Sequence, residues 1–145
     1  MAVDSGYYES LQRGVNQDYA AGMAANTYSQ TLARNRGNRN LSFMKQDFQR
    51  GVPNFTSQFG QRGFGGGIRS GVMQRSMANY LGDFQRSYTT QEQDLTDSLR
   101  QYDLQSAQLG AQRTSALADI ELQKAREIAF AAQNIEALRG MLGGL

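Results

Sequence analysis

The chain has 145 residues, the length of one domain or one extended element, since domains typically hold roughly 100 to 200 residues. Only 39% of residues are hydrophobic, and 17 are Gln and 8 Asn, so the chain has little material for a core and is expected to finish burying its surface on a partner. It has no His, Cys or Trp, which excludes Ser-His-Asp and Cys-His catalysis, thiolate metal sites and disulfide scaffolds together. The expectation is a protein that is not an enzyme and uses no cofactor or metal.

The first residues, Met1-Ala-Val-Asp-Ser-Gly-Tyr-Tyr-Glu9, contain an early acid and no apolar run, unlike a signal peptide. No window approaches the roughly 18 consecutive apolar residues of a membrane span. A soluble product of a cytoplasm is expected. Net charge is +2, unevenly spread. Residues 34–75 carry eight cations against the single acid Asp47, a net of +7, whereas residues 76–145 carry six cations against nine acids. Thirteen of the fifteen cations are Arg, whose planar, permanently charged fork suits bidentate pairing at interfaces as well as phosphate binding.

In chain order, Tyr8, Leu11, Val15, Tyr19, Met23, Tyr28 and Leu32 recur mostly three to five apart, which predicts an amphipathic helix over 5–33 with Asp4 or Ser5 as N-cap. Gly14 and Gly22 each weaken it by about 1 kcal/mol relative to Ala, so it needs tertiary support. The stretch Asn35-Arg-Gly-Asn-Arg-Asn40 reads as a break. Leu41, Met44 and Phe48 predict a short second helix ending near Gly51, with Pro53, the only proline, marking its end. From Gly51 to Gly71 the phenylalanines Phe55, Phe59 and Phe64 alternate with glycines, which predicts a glycine-rich connector whose aromatic rings peg it to a neighbouring surface. The segment Gly63-Phe-Gly-Gly-Gly-Ile-Arg69 lacks the Gly-Lys-Ser/Thr ending of a phosphate-binding loop, and no strand pattern precedes it.

The last half is the most regular. From Met77 to Leu142 a stripe steps through 77, 81, 84, 88, 91, 95, 99, 102, 106, 109, 113, 117, 120, 124, 128, 131, 135, 138 and 142, which is 65 residues in 18 steps, or 3.61 per step. A left-handed coiled coil would hold 3.5 over so many turns, so the pattern predicts a long helix packed along other helices. Leu117, Ile120, Ile128, Ile135 and Leu138 are then expected to be buried against neighbours, and Gln105 and Gln123, off the stripe, to be exposed. Thr90 and Gln93 have capping-box spacing, which marks a candidate break near Tyr88, and Gly110 is a second weak point. Gly140, Gly143 and Gly144 are expected to end the helix and leave an apolar tail.

Acidic pairs such as Asp94 with Asp97 lie on one helix face among Arg residues, the pattern of a solvated, ion-paired surface; acid–base chemistry needs two carboxylates held across a cleft. Nothing resembles a calcium loop. The basic segment with Phe43, Phe48, Phe55, Phe59 and Phe64 has a functional alternative, because Arg and aromatic side chains can follow phosphates and stack bases. With a net charge of only +2 and an acidic helix behind, an Arg cluster of Arg36, Arg39, Arg50, Arg62 and Arg69 facing another subunit is favoured over nucleic acid.

The run Gln58-Phe-Gly-Gln-Arg-Gly-Phe-Gly-Gly-Gly-Ile-Arg-Ser-Gly-Val72, the Gln/Arg/Ala-rich helix Gln74-Arg-Ser-Met-Ala-Asn-Tyr-Leu-Gly-Asp-Phe84 and the close Ile120-Glu-Leu-Gln-Lys-Ala-Arg-Glu-Ile-Ala-Phe-Ala-Ala-Gln-Asn-Ile135 resemble small virion proteins of tailed bacteriophages, over roughly residues 55–140. The resemblance implies a structural component of the tail, neck or an internal ejection layer, and it carries no catalytic residues. The resulting expectation is an all-α, elongated helical hairpin or small bundle: N-terminal helices over 1–50, a Gly/Phe connector over 51–71, and a long C-terminal helix with an apolar tail over 72–145. Its partners are expected to be other virion proteins and further copies of itself, in a virion assembled in a host cytoplasm. The alternative is an internal or ejected protein that contacts the genome through residues 34–75.

Overall fold

The structure, a computed structural model, describes residues 3–61 and 71–144. Helix α1 runs from Ser5 to Gln61 and helix α2 from Gly71 to Gly143; the chain is an all-α helical hairpin. Asp4 caps α1: its Oδ1 accepts the backbone N–H groups of Gly6 at 3.1 Å and Tyr7 at 3.3 Å, two of the donors that a helix start leaves without intrahelical partners.

Neither helix breaks where the sequence suggested. The stretch 35–40 is continuous helix, and residues 51–61 of the expected connector belong to α1; residues 62–70 of that connector lie outside the described residues. The reason is helix–helix approach. A Cβ on Gly37 would overlap the Leu95 side chain, and one on Gly51 would overlap the Tyr80 hydroxyl, so these glycines are contact positions whose packing outweighs a propensity cost of about 1 kcal/mol each. Pro53 lies within α1. It and Gln49, whose carbonyl it leaves without an N–H donor, are both exposed, so water can take the free carbonyl. Helix α2 passes through Thr90 and Gly110 unbroken. Thr90 Oγ1 donates to the Arg86 carbonyl at 2.9 Å, an intrahelical bond and not a cap.

The inward face of α1 follows positions 8, 11, 15, 19, 22, 26, 30, 33, 37, 41, 44, 48, 52 and 55, all buried or half-buried. This is 47 residues in 13 steps, or about 3.6 per step, the pitch of an ordinary α-helix. Tyr28, expected on this face, is exposed; the period passes through Asn26 and Gln30 instead.

The chain divides into two compact units, Met1–Thr27 with Asp103–Leu145, and Tyr28–Tyr102. In the first, Tyr8 and Ile120 are buried, and a Cβ on Gly22 would stand 3.3 Å from the Leu109 methyls. In the second, Leu41 and Met73 are buried. On α2, positions 95, 99, 102, 106, 109, 117, 120 and 124 of the expected stripe are buried or half-buried, and Gln105 and Gln123 are exposed. Leu81, Gln91 and Arg113 of that stripe are exposed, and further on Ile128, Ile135, Leu138 and Leu142 are exposed, with Ala131 half-buried between them. Facing residues of the two helices have numbers that add to about 132, as for Asn26 with Ser106, so Ser5, the first residue of α1, comes level with about residue 127 of α2; Val3 and Asp4 line a groove with Phe130, Ala131 and Asn134, and Ala131 is half-buried.

Candidate assembly surface

In the unit Tyr28–Tyr102, aromatic rings form a ladder along the helix seam. Phe48 stacks on Phe84 with centroids 4.2 Å apart and on Tyr80 at 5.2 Å. Phe55 stacks on Tyr80 at 4.9 Å with the rings 8° from parallel, and Phe84 meets Tyr88 at 5.6 Å. Helical spacing puts these rings in line: 80, 84 and 88 are one turn apart on α2, and 48 and 55 two turns apart on α1. Each such pair contributes about 0.5–1.5 kcal/mol beyond the area it buries. Phe48 and Phe55 of α1 are therefore packed against α2, and Phe55 remains half-buried. Tyr80, Phe84 and Tyr88 were not among the candidate residues, although the four-residue spacing of three aromatic residues in the sequence was the signal for them.

Arg36, Arg39 and Arg50 are exposed on α1. At 100° per residue they share an arc of roughly 60° with Phe43, whose ring is also exposed. This is the part of the expected Arg–aromatic cluster that the structure brings together. The Phe59 side chain and Arg62, Phe64 and Arg69 lie outside the described residues. The ion pairs seen among the described residues, Arg86 with Asp83 at 2.6 Å and Arg100 with Asp97 at 3.8 Å, are exposed and lie within α2, where such pairs contribute about 0–1 kcal/mol.

The unit Met1–Thr27 with Asp103–Leu145 has a polar seam. The Asn26 amide donates to Ser106 Oγ at 2.5 Å, the Gln12 amide to Glu121 at 2.5 Å, and Arg113 Nε to Asn16 Oδ1 at 2.9 Å. The Arg113 guanidinium also lies 4.8 Å from the centre of the Tyr19 ring, a cation–π contact. Tyr8 is 1% exposed, packed edge-on against Tyr7 at 5.3 Å. Burial first, and then the Glu127 carboxylate beside it, push its phenol up to about 12. Both effects disfavour the phenolate, one by removing water and the other by like charge.

The same unit carries the exposed apolar residues. Of the expected interface on α2, Ile120 is buried and Leu117 half-buried under α1, whereas Ile128, Ile135 and Leu138 are open. Phe130, Met141 and Leu142 extend this open stretch, and Leu104 and Leu122 are exposed further back.

No protein-family model, curated protein or solved structure matches the chain. Among the described residues, no group of three or more acids gathers as a metal site, and no helix is long and apolar enough to cross a membrane.

Proposed function

We propose that the chain is a structural, non-enzymatic subunit of a tailed-phage virion, present in several copies, that packs against other virion proteins in the tail, the neck or a tail-associated assembly. The observation that carries the packing role is the stripe of α2: most of its positions from Met77 to Lys124 are covered, Leu81, Gln91 and Arg113 excepted, and most of those beyond are open, with Ile135 51%, Leu138 58% and Leu142 70% exposed. Side chains of this size each gain about 1.5–3 kcal/mol on full burial, so a partner that covers them is strongly favoured. The resemblance of residues 55–140 to small phage virion proteins supplies the setting. Exposed Arg side chains add charge-assisted contacts at subunit borders.

Mass spectrometry of purified particles, before and after genome release, tests this reading. Retention in the emptied particle is the expected result, and absence from both samples would remove the proposal. One observation favours a second reading, an internal or ejected protein that contacts the genome: Arg36, Arg39 and Arg50 share an exposed face with Phe43. Loss of the protein from particles on genome release, together with sub-micromolar DNA affinity and a log–log salt slope of about −0.9 per neutralised phosphate, would put that reading first.

A further inference from the structure

We infer that, in the unit Tyr28–Tyr102, the outer face of α1 and the outer face of α2 are the two halves of one self-association interface: α1 of one copy packs antiparallel on α2 of the next, and the copies close into a ring. The inference gives the several copies of the virion proposal a contact, and it stands without the virion setting.

Each helix carries a second stripe, away from the seam of the hairpin. On α1 it runs through Arg36, Arg39, Phe43, Gln46 and Arg50, and on α2 through Asp83, Ser87, Thr90, Asp94 and Asp97, all exposed. Read forward from Arg36 the steps are 3, 4, 3 and 4, and read backward from Asp97 they are again 3, 4, 3 and 4. This alternation lets the side chains of two antiparallel helices interleave in layers. The layers set Arg36 against Asp97, Arg39 against Asp94, Phe43 against Thr90 and Arg50 against Asp83, with residue numbers that add to 133 in every layer. All three charged layers join opposite signs. A shift of one heptad either way sets Thr90 or Leu104 opposite Arg36, Ser87 or Gln101 opposite Arg39, and Ser76 or Thr90 opposite Arg50, so charge selects a single register.

Within one chain these groups do not meet. Among the described residues, Arg36, Arg39, Arg50 and Asp94 take part in no ion pair, and Asp83 and Asp97 pair with Arg86 and Arg100 of their own helix. A carboxylate has lone pairs for a second donor, and an Arg fork supplies it in the strong, charge-assisted form. Phe43, 53% exposed, gains cover from the Thr90 methyl and from the stems of the flanking arginines. A phosphate backbone accounts for the arginines alone; a second copy accounts for the carboxylates at matching levels on the other helix as well.

The register also arranges the copies. Facing residues add to about 132 within the hairpin and to 133 between copies, so neighbours stand level to within about 1.5 Å, one residue's rise. Copies related by rotation without a rise make a heterologous contact that closes into a ring. At 100° per residue the outer stripe lies about 150° from the seam-facing stripe on α1 and about 120° from it on α2. Both offsets run in the same sense of the numbering, and in antiparallel helices they therefore fall on the same side of the hairpin plane. Each copy is turned by about 90° from the last, and the ring closes at about four copies.

Sedimentation equilibrium of the full chain should show concentration-dependent assembly that weakens as salt rises. The variants Arg36→Glu/Arg39→Glu/Arg50→Glu and Asp83→Lys/Asp94→Lys/Asp97→Lys change only exposed side chains, so helicity by circular dichroism should be unchanged. Each alone should assemble roughly tenfold more weakly or worse, because like charges then face each other. An equimolar mixture of the two should assemble again, since every α1 meets an α2 of opposite charge. Because the chain has no cysteine, oxidation of Phe43→Cys/Thr90→Cys reads the register: it should give a ladder of covalent oligomers, and neither single variant should. Within one hairpin both side chains point away from the seam, beyond disulfide reach. Assembly indifferent to both charge reversals, a mixture that fails to assemble, or a double-cysteine variant that yields no ladder would each overturn the interface. A monomeric chain with sub-micromolar DNA affinity that is lost in the Arg→Glu variant would assign the α1 face to nucleic acid and overturn it too. Assembly with rescue by mixing, in a protein missing from particles, supports the interface and removes only the virion proposal. A chain found in particles yet monomeric at several hundred micromolar removes the interface and leaves the virion proposal standing.

Discussion

Gly37 offers the sharpest test of how the two helices are held together. Glycine in a helix interior costs about 1 kcal/mol relative to alanine, so a Gly→Ala change stabilises wherever the new methyl has space. At Gly82 nothing stands within 4 Å of the added Cβ, and Gly82→Ala should raise stability by about 0.5–1 kcal/mol. At Gly22 the methyl would sit 3.3 Å from both Leu109 methyls, so a small shift of that side chain should cancel most of the gain. At Gly37 it would overlap the branch point and both methyls of Leu95. Relief there requires the whole isobutyl group to move, or the helices to separate. Overpacking of this kind costs about 1–3 kcal/mol, so Gly37→Ala should be destabilising by about 0–2 kcal/mol once the propensity gain is subtracted. Thermal unfolding followed by circular dichroism should rank the three variants Gly82→Ala, Gly22→Ala, Gly37→Ala from most to least stable. The double variant Gly37→Ala/Leu95→Ala should recover about 1 kcal/mol relative to the sum of its single changes, since the new methyl occupies the space that Leu95 vacates. A Gly37→Ala protein stabilised as much as Gly82→Ala would show that the helices do not approach closely at Gly37.

The helical class, the N-cap at Asp4 and the covered half of the α2 stripe were all legible in the sequence, because each rests on a local rule: a short polar side chain before a helix, or an apolar residue every 3.6 positions. The expected breaks misled for one reason. Gly37, Gly51 and Pro53 are breakers by propensity, and propensity is outweighed where two helices press together. Carrying the period of α1 through residues 26, 30, 33 and 37 regardless of residue type would have shown one helix, with a polar residue and a glycine serving as core positions. The exposure of Ile128, Ile135 and Leu138 could not be read from α2 alone. It depends on the register between the helices, which is fixed by non-local pairs such as Asn26 with Ser106 and Phe48 with Phe84. The stacking of Phe55 on Tyr80 depends on the same register, and for that reason the surface that receives this ring could not be named from the sequence.

Asp4→Ala should cost about 0.5–2 kcal/mol through loss of the cap, and faster hydrogen exchange at the Gly6 and Tyr7 amides would locate the loss; an unchanged exchange pattern would contradict it. Tyr8 should ionise well above the ordinary phenol value in an absorbance titration. Its folded pKa of about 12 exceeds the ordinary value of 10.0, so its contribution to stability is fully present below about pH 10 and is lost as pH rises towards 12. Glu127→Gln should lower that pKa without restoring the ordinary value, because burial is the larger cause; a phenol that titrates normally in the unchanged protein would remove the argument. The Asn26–Ser106 pair separates stability from register. Asn26→Ala leaves Ser106 without this partner in a half-buried seam and should cost about 1–3 kcal/mol. Asn26→Leu with Ser106→Ala replaces both polar groups by apolar ones, and its stability should lie near that of the original chain. What the double change should lose is specificity: an apolar seam tolerates a slip of one helix past the other, whereas the amide and the hydroxyl bond only when opposite each other. Crosslinking between cysteines placed at Gln12 and Glu121, which face each other in the native register, reads this out. The original pair should give one dominant intramolecular product, and the apolar pair a slower and more mixed set. Equal crosslinking in both backgrounds would show that the ring ladder and the close-packed glycines hold the register without the polar pair.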